Sequence, residues 1–545
     1  MNLPNLLAPK RSIETVQNFG GLAKNARGAS QFAYMENLSS DAYPLLSTRP
    51  LRGIIKTGDF EVSSSLYVGD YLCYTHDQYF IMDKNPAYSS DDTRTVVSMG
   101  LSGDPDTRLV GMGSYILIMP DKKYINTADT SDFGDIEFHA SLTGAEFSPC
   151  AFDGGEDSGG EYVKISSPSL GSGLSAGDGI TVSGITAQEL SQLCGNAVIS
   201  AAGNGYIVIP GKIARSKNSA VTLDRTMPEV DFMTESGNRM WGCRHGTGEN
   251  GGTLNEIYAS KLGDFKNWNV FQGLSTDSYA ASVGTPGDFT GCTSFAGNPV
   301  FFKEDFIHRV FGCYPEQYQV QTSACSGVQS GCSDSIATVR GVLYYKSRTG
   351  VCRYDGSAPV PVSGALGDTP YSSAVAGALG GKYYISMKDP SGKPSLFVFD
   401  TELGLWHRED GTAVRSFASL QGGLYFTAEG DPSTVFSACG GGNDSEKQFR
   451  WLAQTGIIGT EDPAGRYMSG VSFCMSASPG SQISVSVRYD SQDRFDNIAS
   501  FTPMTAASFN MPIALRRCSH FELRLEGFGS AKLYSLSYIY EKCEL

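Results

Sequence analysis

An all-β chain organised around a β-propeller of about seven blades is what this sequence predicts. Glycine is the commonest residue, 64 of 545, aromatic residues make up 11% and charged residues 18%. That mixture suits many short strands joined by tight turns. An aromatic hairpin unit also recurs at roughly forty-residue spacing, the range expected of propeller blades. A chain this long exceeds one ordinary core, and a radial repeat absorbs most of the length.

The elements follow in order. Residues 1–55 contain Gly, Pro, Asn and Ser too often for a long element and read as an N-terminal arm that wraps or docks. The propeller begins at 56–140, where SLYVGDYLCYTHDQYFIMD (65–83) and TRLVGMGSYILIMPDKKYINTAD (107–129) run strand, Gly-containing turn, aromatic strand, turn, strand. Residues 141–215 break the series. They open on the Gly/Asp-rich FDGGEDSGG and then alternate like strands, with the wrong spacing and few aromatics. This is the expected signature of a small β-domain inserted in a blade loop.

The propeller resumes over 216–445. A first copy spans 231–271, and four clearer ones are SFAGNPVFFKEDFIHRVFG (294–312), TVRGVLYYKSRTGVCRYDG (338–356), ALGGKYYISMKDPSGKPSLFVFD (378–400) and SLQGGLYFTAEGDPSTVFSACG (419–440). Each reads as a hairpin of period-2 strands preceded by one more strand, such as DFTGCTS or SSAVAGA. Residues 446–545 give strands every ten to twelve residues with turn signals between them and predict a C-terminal β-sandwich.

The charge constrains partners. Against 42 Lys and Arg stand 57 Asp and Glu, a formal net charge of −15. Such a molecule repels nucleic acid and anionic membrane, so a DNA-grasping role is disfavoured while an acidic lumen that DNA slides past stays compatible. No basic-plus-apolar leader occupies Met1–Arg11 and no apolar run approaches a membrane span, so folding in a cytoplasm is expected.

Signals for chemistry are weak. The thirteen cysteines, Cys73 to Cys543, include no CxxC pair, and the closest, Cys313, Cys325 and Cys332, have no histidine at zinc-finger spacing. Reduced, half-buried thiols are expected rather than disulfides or a metal site. His76, His139, His245, His308, His407 and His520 each stand alone, without HxxxH or HExxH. Asp91–Asp92, Asp104/Asp106 and Glu156/Asp157 lie in Gly- or Pro-containing loops and read as turn residues, a calcium loop being the sharper alternative. KLGDFKNWNV, with Asp264 and Trp268, only approaches the Asp-containing turn of sialidase blades, so Trp268 reads as packing. Arg49, Arg52 and Arg516–Arg517 stand in charge-poor surroundings and suit anchoring between domains or subunits better than phosphate binding. No catalytic, cofactor-binding or metal-binding residue is assigned, and the chain is expected not to be an enzyme.

The segment NFGGLAKNARGASQFAYMENLSSDAYPLLSTRPLRG, with its Asn-Leu, Tyr-Pro and Thr-Arg-Pro steps, resembles the opening of bacteriophage tail propeller proteins. FFKEDFIHRVFGCYPEQYQVQTSACSGVQSGCSDSIATVRGVLYYKSRTGVCRYDG and LRRCSHFELRLEGFGSAKLYSLS resemble the same structural group, so the likeness covers most of the chain outside 141–215. The cysteine richness and the insert depart from that group. Its tail nozzle and packaged-DNA stabilisation members imply a virion protein, assembled in the host cytoplasm as a homohexameric ring below the portal and adaptor. Genomic DNA passes through such a ring, and fibres or a needle assemble on it. Two other functions compete with this one: a tail-tip or fibre adhesin for a host surface glycan, and a propeller glycoside hydrolase, which needs convergent carboxylates.

Overall fold

The computed structural model describes residues 11–57, 65–68, 71–84, 94–104, 106–157, 159–248, 251–420, 422–440, 444–460, 465–490, 492–502 and 507–542. These residues are almost entirely strands, with four short 3-10 turns among them. The chain divides into two compact units, 63–84 with 93–330, and 1–62 with 85–92 and 331–545.

The first unit holds four antiparallel four-stranded meanders of the propeller-blade type. Blade 1 comprises Ser65–Val68, Tyr71–His76, Tyr79–Lys84 and Arg94–Ser98, and blade 2 runs from Arg108–Met112 to Asp129–Asp135. Blade 3 runs from Phe232–Glu235 to Tyr279–Ser282, and blade 4 from Gly291–Phe295 to Gln319–Ala324. The first strands of consecutive blades are neighbours, and one apolar cluster fills the space between each pair. Ile116 and Ile118 of blade 2, for example, close over Cys73 and Phe80 of blade 1.

That stacking corrects the period-2 expectation. A blade's second strand is covered on both faces, so its side chains are buried nearly without interruption: YILIM in blade 2 and NPVFF in blade 4 expose only their end residues appreciably. A strand buried on both faces reads as an apolar run rather than as an alternation. The hairpins turn where the sequence places Gly. Ala296–Gly297 both have positive φ, 49° and 73°, the two-residue turn whose twist matches the flanking strands.

The insert occupies 138–225, wider than the 141–215 of the sequence reading. Its seven-stranded sheet is entered by Phe138–Cys150 and left by Lys217–Arg225, which pair from Phe138↔Arg225 to Phe147↔Lys217. It encloses its own core, including Phe147, Val163, Ile165, Val182, Ile207 and Leu223. A polar clamp binds it to blade 3. Asp178 accepts from Arg225 Nη1 at 2.6 Å and from Asn267 Nδ2 at 2.8 Å, while Asn267 Oδ1 receives Gly179 N at 2.9 Å.

The second unit holds three further blades and a sandwich. Blade 5 spans Ala337–Val339 to Val360–Pro361 and blade 6 Ser372–Leu379 to Leu405–Arg408. Blade 7 takes Val414–Leu420, Gly423–Ala428 and Asp431–Ser437 from one stretch of chain and its next strand, Gly53–Thr57, from the N-terminal region. Lys346 sits in the second strand of blade 5, and Tyr383 in that of blade 6 gives its hydroxyl to Ser335 O at 2.7 Å.

The N-terminal stretch is therefore structural framework over its described part rather than an arm. Arg11–Val16 pairs along Ala531–Lys542, Phe32–Glu36 along Arg450–Thr455, and Leu46–Thr48 again along Ala531–Lys542. These strands complete the two sheets of the sandwich, whose other strands come from Arg450–Thr455, Arg466–Ala477, Ile483–Tyr489, Asp496–Phe501, Ala507–Cys518, Phe521–Phe528 and Ala531–Lys542. Phe32, Met35, Met468, Phe473, Leu523 and Leu536 are buried in its core. The partners lie more than four hundred residues away in the chain, so no local pattern announces them.

Candidate functional site

The strongest concentration of buried charge gathers two of the arginines singled out in the sequence. Arg49 lies just after Leu46–Thr48, and Arg52 just before the Gly53–Thr57 strand of blade 7. Both are nearly inaccessible, at 3% and 6% exposure. Arg49 Nη1 and Nη2 reach Glu446 Oε2 and Oε1 at 2.8 and 2.9 Å, and its Nε donates to Asn37 Oδ1 at 2.7 Å. Arg52 Nη2 donates to Glu409 at 2.7 Å, and its Nη1 lies 2.8 Å from Asp410 and 3.0 Å from Thr412 Oγ1.

Rings close the arrangement, Phe449 under Arg49 at 4.1 Å and Phe426 under Arg52 at 5.3 Å. Burial alone would weaken the charge on Arg52. The Glu409 and Asp410 carboxylates outweigh it and hold the guanidinium more firmly protonated than usual. Asp410 likewise stays below the ordinary carboxylate range, because Arg52 offsets its burial. Bidentate Arg–carboxylate geometry of this kind fixes orientation as well as energy. The cluster thus ties the N-terminal strands to the turn between blades 6 and 7 and to the entry of the sandwich. Arg516 and Arg517 take no part: both are exposed, Arg516 lying over the Tyr489 ring at 4.8 Å.

The histidines stay apart. His308 is fully buried between Thr285 Oγ1 and Thr322 Oγ1, each at 2.9 Å. Burial first, then the Lys303 charge, pushes its pKa down to about 4. His407 is 2% exposed and is also held down to about 4, by burial and then by Lys382. His139 pairs with Asp224 at 2.6 Å, His245 with Asp288, His76 with Asp77 at 3.6 Å and His520 with Asp490 at 3.8 Å. No group of three His, Cys, Asp or Glu side chains is placed to hold a metal among the described residues.

The acidic loops divide. Asp104 Oδ1 accepts Asp106 N at 2.8 Å, and Asp157 Oδ1 accepts Gly159 N at 3.0 Å, both as turn-forming side chains. Asp91–Asp92 lie outside the described residues. Trp268 packs: it is 6% exposed, its indole N–H reaches Phe265 O at 2.8 Å, and Asp264 Oδ1 receives Lys266 N at 3.0 Å. Cys313 is exposed, Cys325 half-buried and Cys332 buried, all as free thiols.

Three concavities are well defined. One of about 240 Å³ lies beside Lys346, Leu366, Asp368, Tyr371 and Met387. A second, of about 360 Å³ on blade 4, holds Asp288, Glu304 and Asp305 near Lys303; Asp288 is engaged by His245, and Glu304 Oε1 receives Ser330 N at 3.1 Å. The largest, about 870 Å³, is a polar groove on the sandwich, where Lys24, Arg27 and Thr460 face Gln454, Arg488 and Glu522. No sequence signal marked it, because its walls come from four separated segments.

No protein-family model and no curated protein matches the chain. Among solved structures, it is similar to a computationally designed protein, Ika8, at 10% identity over 71% of this chain and 99% of that one, with a TM-score of 0.36. It is similar also to an exo-β-1,3-galactanase from Phanerochaete chrysosporium, at 10% identity over 56% and 95% of the two chains and a TM-score of 0.22. PorZ of Porphyromonas gingivalis matches at 12% identity over 83% and 77%, with a TM-score of 0.17. Likeness at this level carries no argument about what the chain binds or does.

Proposed function

We propose that the chain is a structural virion protein of a bacteriophage tail, forming a nozzle or ring, hexameric in order, below the portal and adaptor. It retains and then conducts DNA and anchors fibres or a needle. One observation supports this reading above the others. The Asn-Leu and Thr-Arg-Pro steps that carry the resemblance contribute Asn37 and Arg49, and these two side chains bond to each other inside the buried tie at 2.7 Å. The motif is thus put to building a rigid joint between blades and sandwich. Rigid frames of this kind suit wedges packed about a symmetry axis, where a heterologous contact must close. The net charge of −15 also favours a wall that does not hold phosphates.

Imaging of the assembled particle tests it. The expected result is density for this chain in a closed ring at the tail, with Asp and Glu lining the channel. A particle that lacks the chain, or a channel wall of positive potential, overturns the proposal.

A further inference from the structure

The 870 Å³ groove is cationic in an acidic protein. Three of its side chains, Lys24, Arg27 and Arg488, are basic and one, Glu522, is acidic. Glu522 is already saturated: Arg488 Nη2 reaches its two oxygens at 2.8 and 2.7 Å, and Gln454 Nε2 donates to Oε2 at 2.9 Å. Lys24 is held only by neutral partners, Thr369 Oγ1 at 2.8 Å and Tyr371 OH at 3.0 Å. Arg27 is exposed and has no ion-pair partner among the described residues. Two cations therefore face the groove with no carboxylate to answer them, and opposite charge on an incoming surface gains both rate and register.

The matching surface stands on the insert. Asp153, Glu156 and Asp157 are exposed within five residues of one another and have no ion-pair partner among the described residues. Phe152 beside them is 59% exposed, with the edge of Tyr162 at 5.3 Å. The loop is ordered before it meets anything: Ala151 N donates to Gly155 O at 2.9 Å, and Asp153 Oδ1 takes Gly155 N at 3.0 Å. Pre-ordering removes part of the entropic cost of binding. The other acidic stretch, on the last strand of blade 2, is already engaged: Asp135 pairs with Lys123 at 2.9 Å, and Asp132 accepts from Tyr115, Tyr124 and Asn126.

We infer that the sandwich groove is the docking site for the acidic Phe152–Asp157 loop of a second copy of this chain. The contact is heterologous, groove to loop, so it repeats from copy to copy and closes into a ring where the rotation allows. The inference rests on the assembly reading above, whose particle imaging tests it separately.

Self-association of the full-length chain, followed by sedimentation and native mass spectrometry, decides the matter. Raising the salt from 50 to 500 mM is expected to weaken association, because the groove charges are exposed to solvent. Arg27→Glu alone, and Asp153→Lys with Asp157→Lys, are each expected to weaken it at least about tenfold at unchanged circular dichroism. An equimolar mixture of the two variants is expected to restore mixed dimers, since one intact groove then meets one intact loop. Association left unchanged by folded charge variants overturns the docking but not the ring, which would close through another surface. A wild type monomeric at every concentration also overturns it. Arg27→Glu abolishing capture of an acidic polysaccharide while assembly persists reassigns the groove to a glycan.

Discussion

Arg49 and Glu446, 397 residues apart in the chain, meet in two parallel hydrogen bonds of 2.8 and 2.9 Å. Arg49 is the more deeply buried partner, its side chain at 1% exposure against 31% for Glu446. Leaving a buried ion without its partner costs about 3–5 kcal/mol, more than the pair itself contributes. Removing the arginine would leave Glu446, Glu409 and Asp410 sharing only Arg52. Arg49→Met is therefore expected to destabilise the unit by an amount of that order, and Glu446→Gln by distinctly less. Denaturant midpoints of the two variants check it; equal midpoints contradict the buried-tie account.

Acid should loosen both units through histidine. His308 and His407 have folded pKa values of about 4, against about 6.5 for the unfolded chain. Between those values the unfolded state binds a proton that the folded state refuses. Stability therefore falls as the pH drops from about 6.5 to 4 and is unaffected by these groups above that window. Each contributes a loss on the order of 3 kcal/mol at its acid end. Unfolding measured at pH 7 and pH 5 should show a smaller difference in His407→Gln than in the wild type.

The insert is expected to be held firmly to blade 3 rather than tethered. Asn267 bonds Asp178 at 2.8 Å and Gly179 N at 2.9 Å, and is itself 1% exposed. Asn267→Ala leaves a buried amide N–H and a carboxylate oxygen short of partners, at about 1–3 kcal/mol for each unsatisfied group. Faster hydrogen exchange at Gly179 and Ile180, with blade 4 unchanged, is the expected signature. Uniform exchange across the unit would show that the clamp does not act locally.

Thiol reactivity should sort by burial. Cys194 and Cys313 are exposed, whereas Cys243 is fully buried and its pKa is raised well above that of a free thiol by that burial. A buried, protonated thiol is a poor nucleophile. Under native conditions Cys194 and Cys313 should take an aromatic disulfide reagent quickly, and Cys243 only on unfolding, as read by mass spectrometry of the labelled peptides.

Blade hairpins were readable because each is closed locally, with a short turn and a run of Val, Ile, Tyr and Phe. NPVFF and KYYISMK therefore carry their own assignment. The run of burial along them was misread as alternation, because the covering blade on the second face appears only after stacking. Less of the functional surface was legible: Arg49 and Arg52 drew notice by their charge-poor surroundings, but neither Glu409 nor Glu446 did.

Composition, turn residues and aromatic periodicity are local properties, and by themselves they determined the all-β class and the blade-by-blade repeat. Tertiary structure decided everything that needed a distant partner. It drew Gly53–Thr57 into blade 7, made Arg11–Val16 and Phe32–Glu36 strands of the sandwich, and brought Lys24 and Arg27 to the groove that holds Glu522. The physical reason is that a strand's side-chain pattern encodes which faces are buried but not which edge it joins. That choice is made only when hundreds of intervening residues have folded and the unpaired backbone groups of a waiting sheet edge are satisfied.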